Sequence, residues 1–206
     1  MSHDNRTERQ FAMTSFFDDS YRGTPPWDIG RPQREFVRLA EKGEVRGKVL
    51  DVGCGTGENA IFFAKRGLEV WGVDAAPRAI EKAERKADLK GVKVTFLVAD
   101  ALRLERLKLR FDTITDCGLF HTFSDEERSK FIRSLNSALE PGGTYLMLCF
   151  SEREPTEWGG PRRVTREEIR KTFREGWNVN YIKDARFEST YHQNGGMGWL
   201  SSITRS

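Results

Sequence analysis

Acidic residues stand at the ends of four successive short apolar runs of this chain, at Asp51, Asp74, Asp100 and Asp116. The runs are rich in β-branched residues and alternate with stretches of helical periodicity, which is the pattern of a sheet whose strands are joined by helices. Ligands of such a sheet bind beyond the carboxyl ends of its strands, so we expect the four carboxylates along one ligand-binding edge. Carboxylates suit a ligand rich in hydrogen-bond donors, such as a ribose or an amine, and disfavour a triphosphate.

The same alternation predicts seven strands, with helices on both faces of the sheet. The expected strands are residues 48–52, 70–73, 92–98, 111–115, 144–150, 179–187 and 199–204. Capping boxes, formed by Ser124 with Glu127 and by Thr165 with Glu168, predict two helix starts. Asn-Gly-Gly at 194–196 predicts the turn of a final hairpin, which adds one antiparallel strand. We therefore expect an α/β fold with a Rossmann-like, doubly wound and mostly parallel seven-stranded sheet.

A single globular domain is expected over residues 47–206, because 206 residues are about 1.4 times the length of a typical domain. The first 46 residues stand apart from the alternating units. Their aromatic residues make them too apolar for a disordered tail; these are Phe11, Phe16, Phe17 and Trp27. We interpret residues 1–46 as an N-terminal helical lid or cap segment.

Composition argues against several classes of protein. Lys and Arg number 34 against 31 Asp and Glu, and this balance disfavours a nucleic-acid partner. The apolar run at 145–150 is far too short to span a bilayer, and the polar N-terminus predicts no signal peptide. The three cysteines have no metal-ligand spacing, which favours reduced thiols and no metal site. These features together predict a cytoplasmic protein without a membrane partner.

Glycines at 53, 55 and 57 follow the first strand, where they allow a tight turn and close approach of the backbone to a ligand. The dinucleotide fingerprint requires a further glycine at position 58, where this chain has Glu58, and the Gly-Lys-Ser/Thr of a P-loop does not occur. A glycine pattern alone is weak evidence. Four motifs in this order and spacing are far more specific: DVGCGTG at 51–57, GVD at 72–74, VAD at 98–100 and FDTITD at 111–116.

From about Trp27 to the C-terminus, the chain resembles the class I methyltransferases that use S-adenosyl-L-methionine. Three further stretches resemble the small-molecule branch of thiopurine and halide/thiol type, and its bacterial relatives acting on quinones and heterocycles. They are TPPWDIGRPQ at 24–33, DCGLFHTFSDEER at 116–128 and GPRRVTREEI at 160–169. The resemblance implies S-adenosyl-L-methionine as cofactor, S-adenosyl-L-homocysteine as product, no metal, and a small-molecule acceptor.

The resemblance also implies a set of cofactor-binding residues. They are Trp27, Arg31, Asp51, Gly53, Gly55, Gly57, Asp74, Ala75, Asp100, Ala101, Asp116 and Cys117. Asp51 and the glycine backbone would hold the methionyl part, with Asp116 and Cys117 beneath it. Asp74 would accept bonds from the ribose hydroxyls, while Asp100 and the Ala101 backbone would recognise the adenine. Trp27 would cover the sulfonium with an aromatic face, and Arg31 would pair with the cofactor carboxylate.

Acceptor-binding residues are expected after the fourth strand and in two C-terminal connections. They are Phe120, His121, Trp158, Arg162 and Tyr191. His121 is a candidate catalytic residue that could take a proton from the acceptor, or could serve only to position it. Arg162 could reach an anionic acceptor, or could be a solvated loop charge.

The expected reaction is in-line displacement of the methyl group onto a sulfur, oxygen, nitrogen or halide of a small molecule. The Asn/Asp-Pro-Pro-aromatic motif of amino-group methyltransferases is replaced here by residues 116–119, Asp-Cys-Gly-Leu. Two alternatives remain: an RNA or protein methyltransferase with a long basic face, or a cofactor-binding protein with a blocked acceptor pocket. The sequence leaves the acceptor and the oligomeric state open.

Overall fold

The computed structural model describes residues 15–155, 157 and 160–206. Within them, a seven-stranded sheet has the order β3-β2-β1-β4-β5-β7-β6. The strands are β1 (Lys48–Val52), β2 (Glu69–Asp74), β3 (Thr95–Val98), β4 (Phe111–Cys117), β5 (Leu139–Phe150), β6 (Trp177–Ser189) and β7 (His192–Arg205). The first five are mutually parallel, and β7 runs antiparallel to its neighbours β5 and β6. The predicted fold class is confirmed.

Within the described residues, two helices precede β1 and four connect strands of the sheet. They are α1 (residues 15–20), α2 (Arg34–Glu41), α3 (Glu58–Lys65), α4 (Pro77–Leu89), α5 (Asp125–Ala138) and α6 (Arg166–Thr172), with 3₁₀ turns at Ala101–Leu107 and Phe120–Thr122. The side chains of Ser124 and Thr165 accept bonds from the backbone N–H groups of Glu127 and Glu168, as the capping boxes predict. Among the described residues, no helix is both long and apolar enough to cross a membrane.

The two faces of the sheet bury separate apolar clusters, because side chains alternate along each strand. In β1, Leu50 and Val52 join the cluster on one face and Val49 joins the cluster on the other. Helix α2 packs on the second face, where the rings of Phe36 and Phe63 lie 6.3 Å apart. Residues 34–41 are therefore part of the packed core.

The final hairpin differs from its prediction. Residues 194–196 lie inside β7, and the chain instead reverses at Thr190 and Tyr191. Gly196 pairs with Phe187 and His192 pairs with Ser189, so the two strands shift register between these pairs. Gly195 adopts a φ of +72°, which a glycine tolerates at such an irregularity. The Asn-Gly-Gly sequence thus marks a bulge, and the prediction of a turn there was wrong.

Candidate functional site

A cavity of about 790 Å³ lies at the carboxyl ends of the parallel strands. One part of its lining comes from the ends of β1, β2 and β3 and the loops after them: Gly53, Val73, Asp74, Ala75, Ala99, Asp100, Ala101 and Leu102. A second part comes from the ends of β4 and β5, the segments after them and the final hairpin: Cys117, Gly118, Leu119, His121, Thr122, Phe123, Ser124, Glu127, Phe150, Gly160, Pro161, Arg162, Phe187, Ser189 and Tyr191. The cavity therefore joins two chemically distinct compartments.

The glycine loop after β1 runs close against its neighbours. Gly53 has a φ of +66°, and a Cβ there would lie 3.0 Å from the Cβ of Leu119. Gly55 has a φ of +54°, and a Cβ there would lie 2.8 Å from the Tyr21 hydroxyl. Both positions thus combine a left-handed backbone with crowding, which only glycine accommodates. Gly53 faces the cavity, whereas Gly55 and Gly57 lie outside its described lining.

Asp74 links this loop to the end of β2. Its Oδ2 accepts a hydrogen bond from the Gly55 N–H and its Oδ1 accepts one from the Ala76 N–H, both at 2.9 Å. Each carboxylate oxygen has a second lone pair, and the side chain lines the cavity. Burial raises the pKa of Asp74 above its ordinary value. The residue is therefore a rigidly oriented acceptor at the cavity wall.

Asp100 follows β3 and is the second acid in the lining. Its Oδ1 accepts a bond from the Leu102 N–H at 2.9 Å, which caps the following 3₁₀ turn. Small apolar residues surround the space between it and Asp74: Ala75, Ala99, Ala101 and Leu102. This arrangement offers polar acceptors at the edges of an apolar slot.

Asp51 and Asp116 lie deeper than the resemblance implied, outside the described lining. Asp51 is buried, its Oδ1 accepts from the Thr115 hydroxyl at 2.7 Å, and its Oδ2 has no hydrogen-bond partner among the described residues. Burial raises the pKa of Asp51 to about 7, opposed by the Thr115 hydrogen bond. Direct contact of Asp51 with a ligand in the cavity is therefore not supported by its position.

Asp116 organises the turn after β4. Its Oδ2 accepts bonds from the Tyr145 hydroxyl at 2.6 Å and the Phe120 N–H at 3.1 Å, and its Oδ1 accepts from the Leu119 N–H at 2.8 Å. Burial raises the pKa of Asp116 to about 7 against these hydrogen bonds. Cys117, the next residue, does line the cavity. Asp116 thus shapes the site from behind, and its expected position beneath the methionyl part of the cofactor stays a prediction.

Arg31 is also placed differently from its expected position. Its guanidinium forms a two-pronged pair with the Glu188 carboxylate, at 2.9 and 3.0 Å. The Gln33 side chain exchanges hydrogen bonds with the Glu188 backbone, and the Thr190 N–H donates to the Pro26 carbonyl at 2.8 Å. Arg31 therefore clamps the hairpin to residues 26–34 and lies outside the described lining, a role that sequence reasoning missed.

His121 lines the cavity with its ring stacked on Phe150, at a centroid distance of 5.2 Å. The Phe150 N–H donates to its Nδ1 at 3.1 Å, so that nitrogen carries the acceptor lone pair and the ring proton resides on Nε2. Burial, helped by the charges of Arg163 and Arg128, lowers the pKa of His121 to about 3. Because Nδ1 is occupied and Nε2 is protonated, this ring is a hydrogen-bond donor. The geometry does not support its expected role as a proton acceptor.

We expect the His121 ring to remain neutral between pH 8 and pH 5, because its pKa of about 3 lies well below that range. The ¹H and ¹⁵N chemical shifts of its imidazole, assigned with His121→Asn, should stay constant over this range and indicate the Nε2–H tautomer. Titration near the ordinary histidine pKa of about 6.5 would contradict the burial described above.

Some of the other residues expected to bind the acceptor line the cavity, and others do not. Tyr191 and Arg162 line the cavity; Tyr191 is 72% exposed, and Arg162 pairs with Asp125 and Glu168. Phe120 is fully buried beneath the Arg128 guanidinium, 4.4 Å from it, and lies outside the described lining. Trp158 lies outside the described residues. Phe123, Phe150 and Phe187 supply aromatic walls that the motifs did not indicate.

The N-terminal segment covers the cavity. Trp27 lines it together with Phe16, Phe17, Tyr21 and Pro26. The Trp27 indole N–H donates to the Tyr21 hydroxyl at 2.9 Å. Asp18 holds the segment to the start of α4, where its carboxylate accepts from both the backbone N–H and the guanidinium of Arg78. Of the aromatic residues here, only Trp27 belonged to the expected cofactor-binding set.

Comparisons with known proteins agree on one activity class. A family described as "Methyltransferase domain" matches residues 49–143. The 2-heptyl-1-hydroxyquinolin-4(1H)-one methyltransferase of Mycobacteroides abscessus is 39% identical over 184 residues, which are 84% of this chain and 81% of that protein. A solved structure described as "Conversion of a Disulfide Bond into a Thioacetal Group during Echinomycin Biosynthesis" has a TM-score of 0.85 and 35% identity, covering 94% of this chain and 93% of that one.

A more distant structure shares the fold. The magnesium protoporphyrin IX methyltransferase of Synechocystis PCC 6803, solved with S-adenosylhomocysteine, has a TM-score of 0.66 and 22% identity. The match covers 84% of this chain and 80% of that chain.

Proposed function

This chain belongs to the class I S-adenosylmethionine-dependent methyltransferases, and we propose that it methylates a hydroxyl group on a small, planar, largely apolar heteroaromatic acceptor. The observation that carries the proposal is the aromatic compartment of the cavity. The ring centroids of Phe150 and Phe187 lie 4.6 Å apart, and both rings contact the His121 ring. All three side chains line the cavity beyond the strand ends. Aromatic walls with a few oriented polar groups suit a flat, partly polar ligand.

The strand-end compartment fits the cofactor. Asp74 presents acceptor lone pairs at the cavity wall, as the two hydroxyls of a ribose require. Asp100 lies across an apolar slot walled by Ala75 and Ala101, which suits the faces of an adenine and its donor amine. The crowded Gly53 lets the backbone approach the methionyl part closely. We propose these residues, with Trp27 and Cys117, as the cofactor-binding set.

Bound S-adenosylmethionine supplies a methyl group activated by its sulfonium, which the acceptor oxygen attacks in line with the departing sulfur. The chain has to orient the acceptor and exclude water. The His121 Nε2–H can donate to an oxygen of the acceptor other than the reacting one, such as a ring carbonyl. The aromatic walls then hold the ring plane, while α1 and Trp27 cover the reacting atoms.

The relative in Mycobacteroides abscessus, whose name specifies a 1-hydroxyquinolin-4(1H)-one, supports the proposal of a hydroxyl acceptor. Such a ring carries a hydroxyl and a carbonyl on a flat apolar frame. A macromolecular acceptor is less well suited to this cavity. Aromatic residues from α1 and the final hairpin lie in the cavity lining. The Arg162 guanidinium is already paired with the carboxylates of Asp125 and Glu168.

We propose residues 15–29 as the lid; they are the first part of residues 15–46, which the structure describes of the segment expected over residues 1–46. Phe17, Tyr21 and Trp27 make edge-to-face ring contacts over the cavity, with centroids 5.8 and 6.3 Å apart. The segment is held by the Asp18–Arg78 pair, by hydrogen bonds at the Gly23 and Pro26 carbonyls, and by the Asp28–Lys86 ion pair. These anchors are individual polar contacts, so we propose that the lid opens for the entry of ligands by releasing them.

A panel of acceptors tests the proposed function. The purified chain is incubated with S-adenosylmethionine and, separately, with 1-hydroxyquinolin-4(1H)-one, 1-naphthol, 2-mercaptoethanol and iodide. We expect the hydroxylated rings to give at least about tenfold more S-adenosylhomocysteine than the thiol or the halide, with the methyl on oxygen by mass and NMR analysis. Turnover of the thiol or iodide alone would contradict the oxygen acceptor, and turnover of none of the four would contradict the proposed acceptor class.

A further inference from the structure

Three polar side chains from separate elements form a hydrogen-bonded chain that ends at the cavity wall. Glu154 lies in the loop after β5, His192 begins β7 and Ser189 ends β6. Glu154 Oε1 is 3.0 Å from His192 Nε2, and His192 Nδ1 is 3.2 Å from Ser189 Oγ. Ser189 lines the cavity. The order is therefore carboxylate, imidazole, hydroxyl and cavity.

The carboxylate determines the orientation of the imidazole. Glu154 is only 4% exposed, and its Oε2 accepts a bond from the Met197 N–H. The Arg163 guanidinium lies near enough for its charge to interact with Glu154. An ionised carboxylate only accepts hydrogen bonds, so the facing Nε2 of His192 carries the ring proton. His192 Nδ1 then presents its lone pair to the Ser189 hydroxyl.

The bulge in β7 makes room for this arrangement. A Cβ at Gly196 would lie 3.2 Å from the Glu154 carboxylate and 2.6 Å from the Phe150 ring. The clamp between Glu188 and Arg31 holds the adjoining residue of β6, and the Thr190 N–H holds the turn to Pro26. Ser189 is thus fixed between two anchored residues beneath the lid.

We infer that Glu154, His192 and Ser189 form a proton relay for the acceptor hydroxyl, an inference that rests on the proposed function. As the acceptor oxygen bonds to the methyl carbon, its O–H bond breaks and the proton passes to Ser189 Oγ. The Ser189 proton passes at the same time to His192 Nδ1, which leaves the serine neutral and the imidazole positively charged beside Glu154. The imidazolium later releases this proton to solvent. Ser189 touches the acceptor and is the catalytic residue; His192 and Glu154 act through it as positioning residues.

His121 makes such a relay necessary. Its Nδ1 is held by the Phe150 N–H and its Nε2 carries a proton, so it donates to the acceptor rather than deprotonating it. A hydroxyl acceptor that keeps its proton at working pH then needs a base elsewhere on the wall.

The first test is the tautomer of His192 in the free protein. Two-bond ¹H–¹⁵N NMR spectra, assigned with His192→Gln, should give the Nε2–H form of the neutral ring. The fraction of this form should fall in Glu154→Gln, whose neutral amide no longer requires it. A wild-type His192 in the Nδ1–H form would overturn the relay, because Nδ1 could not then accept from Ser189.

The second test compares two acceptors of similar shape: 1-naphthol, which keeps its proton at pH 7.5, and 4-nitro-1-naphthol, which is ionised. The kcat for 1-naphthol divided by the kcat for 4-nitro-1-naphthol should fall by about 10²-fold in Ser189→Ala and in His192→Gln. A loss of this size is within the usual range for general base catalysis. Ser189→Thr, which keeps the hydroxyl, should restore the ratio to within about threefold of wild type. Thr190→Ala is the matched control, since Thr190 is exposed and outside the described lining, and it should keep the wild-type ratio.

The outcomes separate the relay from the function on which it rests. If Ser189→Ala lowers kcat equally for both naphthols, or for neither, their ratio is unchanged. This result would overturn the relay alone and leave the proposed methyl transfer in place. A wild-type protein that methylates neither the naphthols nor 1-hydroxyquinolin-4(1H)-one overturns the proposed function and the relay with it. Calorimetric titration with S-adenosylhomocysteine verifies that each variant is folded, and the wild-type tautomer remains decisive if a variant does not fold.

Discussion

Replacing Asp74 with alanine is expected to raise the Kd for S-adenosylhomocysteine by about 10²- to 10⁴-fold. The carboxylate lies in the cavity wall with its orientation fixed by the Gly55 and Ala76 N–H groups. If it accepts both ribose hydroxyls, two hydrogen bonds to a charged group are lost, each worth about 1.5–3 kcal/mol. Their sum of about 3–6 kcal/mol corresponds to this range of affinity, at 1.4 kcal/mol for each factor of ten. Isothermal titration calorimetry measures the effect.

Two variants separate ligand contact from folding in this experiment. Asp88→Ala removes an exposed acid from α4, outside the described lining, and should bind S-adenosylhomocysteine as wild type does. Asp74→Asn keeps the size and one acceptor oxygen, so we expect an intermediate loss. A folded Asp74→Ala protein with wild-type affinity would exclude Asp74 as the ribose ligand.

Replacing Asp116 with alanine is expected to lower the free energy of unfolding by about 3–6 kcal/mol, the largest stability effect we foresee. The buried carboxylate accepts from the Tyr145 hydroxyl and from the N–H groups of Leu119 and Phe120. Each donor left unpaired in the interior costs about 1–3 kcal/mol. Urea unfolding followed by circular dichroism measures the change. Tyr145→Phe, which removes one donor and leaves the carboxylate with two, should lose clearly less.

The pH dependence of this effect has a definite sign. The folded-state pKa of Asp116 is raised to about 7, against about 3.9 in an unfolded chain. The folded state therefore binds more protons between these values, so the contribution of this group to stability is greatest at low pH and is lost as pH rises through 7. The stability difference between wild type and Asp116→Asn should accordingly shrink from pH 5 to pH 8. A difference that stays constant from pH 5 to pH 8 would show that Asp116 is ionised throughout this range, contrary to its burial.

Local patterns in the sequence were sufficient to predict most of the sheet and part of the cavity lining. Gly53, Asp74 and Asp100 lie in the cavity lining, at the edge that the strand-end motifs predicted, together with Ala75, Ala101 and Cys117, which the resemblance implied. Each is placed by its own strand and the turn directly after it. Parallel strands bring such ends to one edge, so neighbours in the motif order become neighbours in space. The capping boxes were equally local, because both partners belong to one helical turn.

Local patterns were insufficient where a distant partner decided the outcome. The Asn-Gly-Gly sequence has the composition of a turn, yet pairing of β7 with β5 and β6 carries it into a strand as a bulge beside Glu154. His121 has the residue type of a base, yet the Phe150 N–H occupies its Nδ1. Residue type gives no sign of either partner.

The sequence by itself determined the element order, the parallel edge and the acids that end its strands, because these depend on periodicity and on contacts within a few residues. Only the tertiary structure decided which acids face the cavity and which lie beneath it. It also paired Arg31 with Glu188 across 157 residues and set Glu154 against His192 beside Ser189. Such pairings require chain segments to meet through packing of the sheet and its covering helices, and the hydrogen-bond partner then determines whether a side chain binds a ligand, moves a proton or holds the fold together.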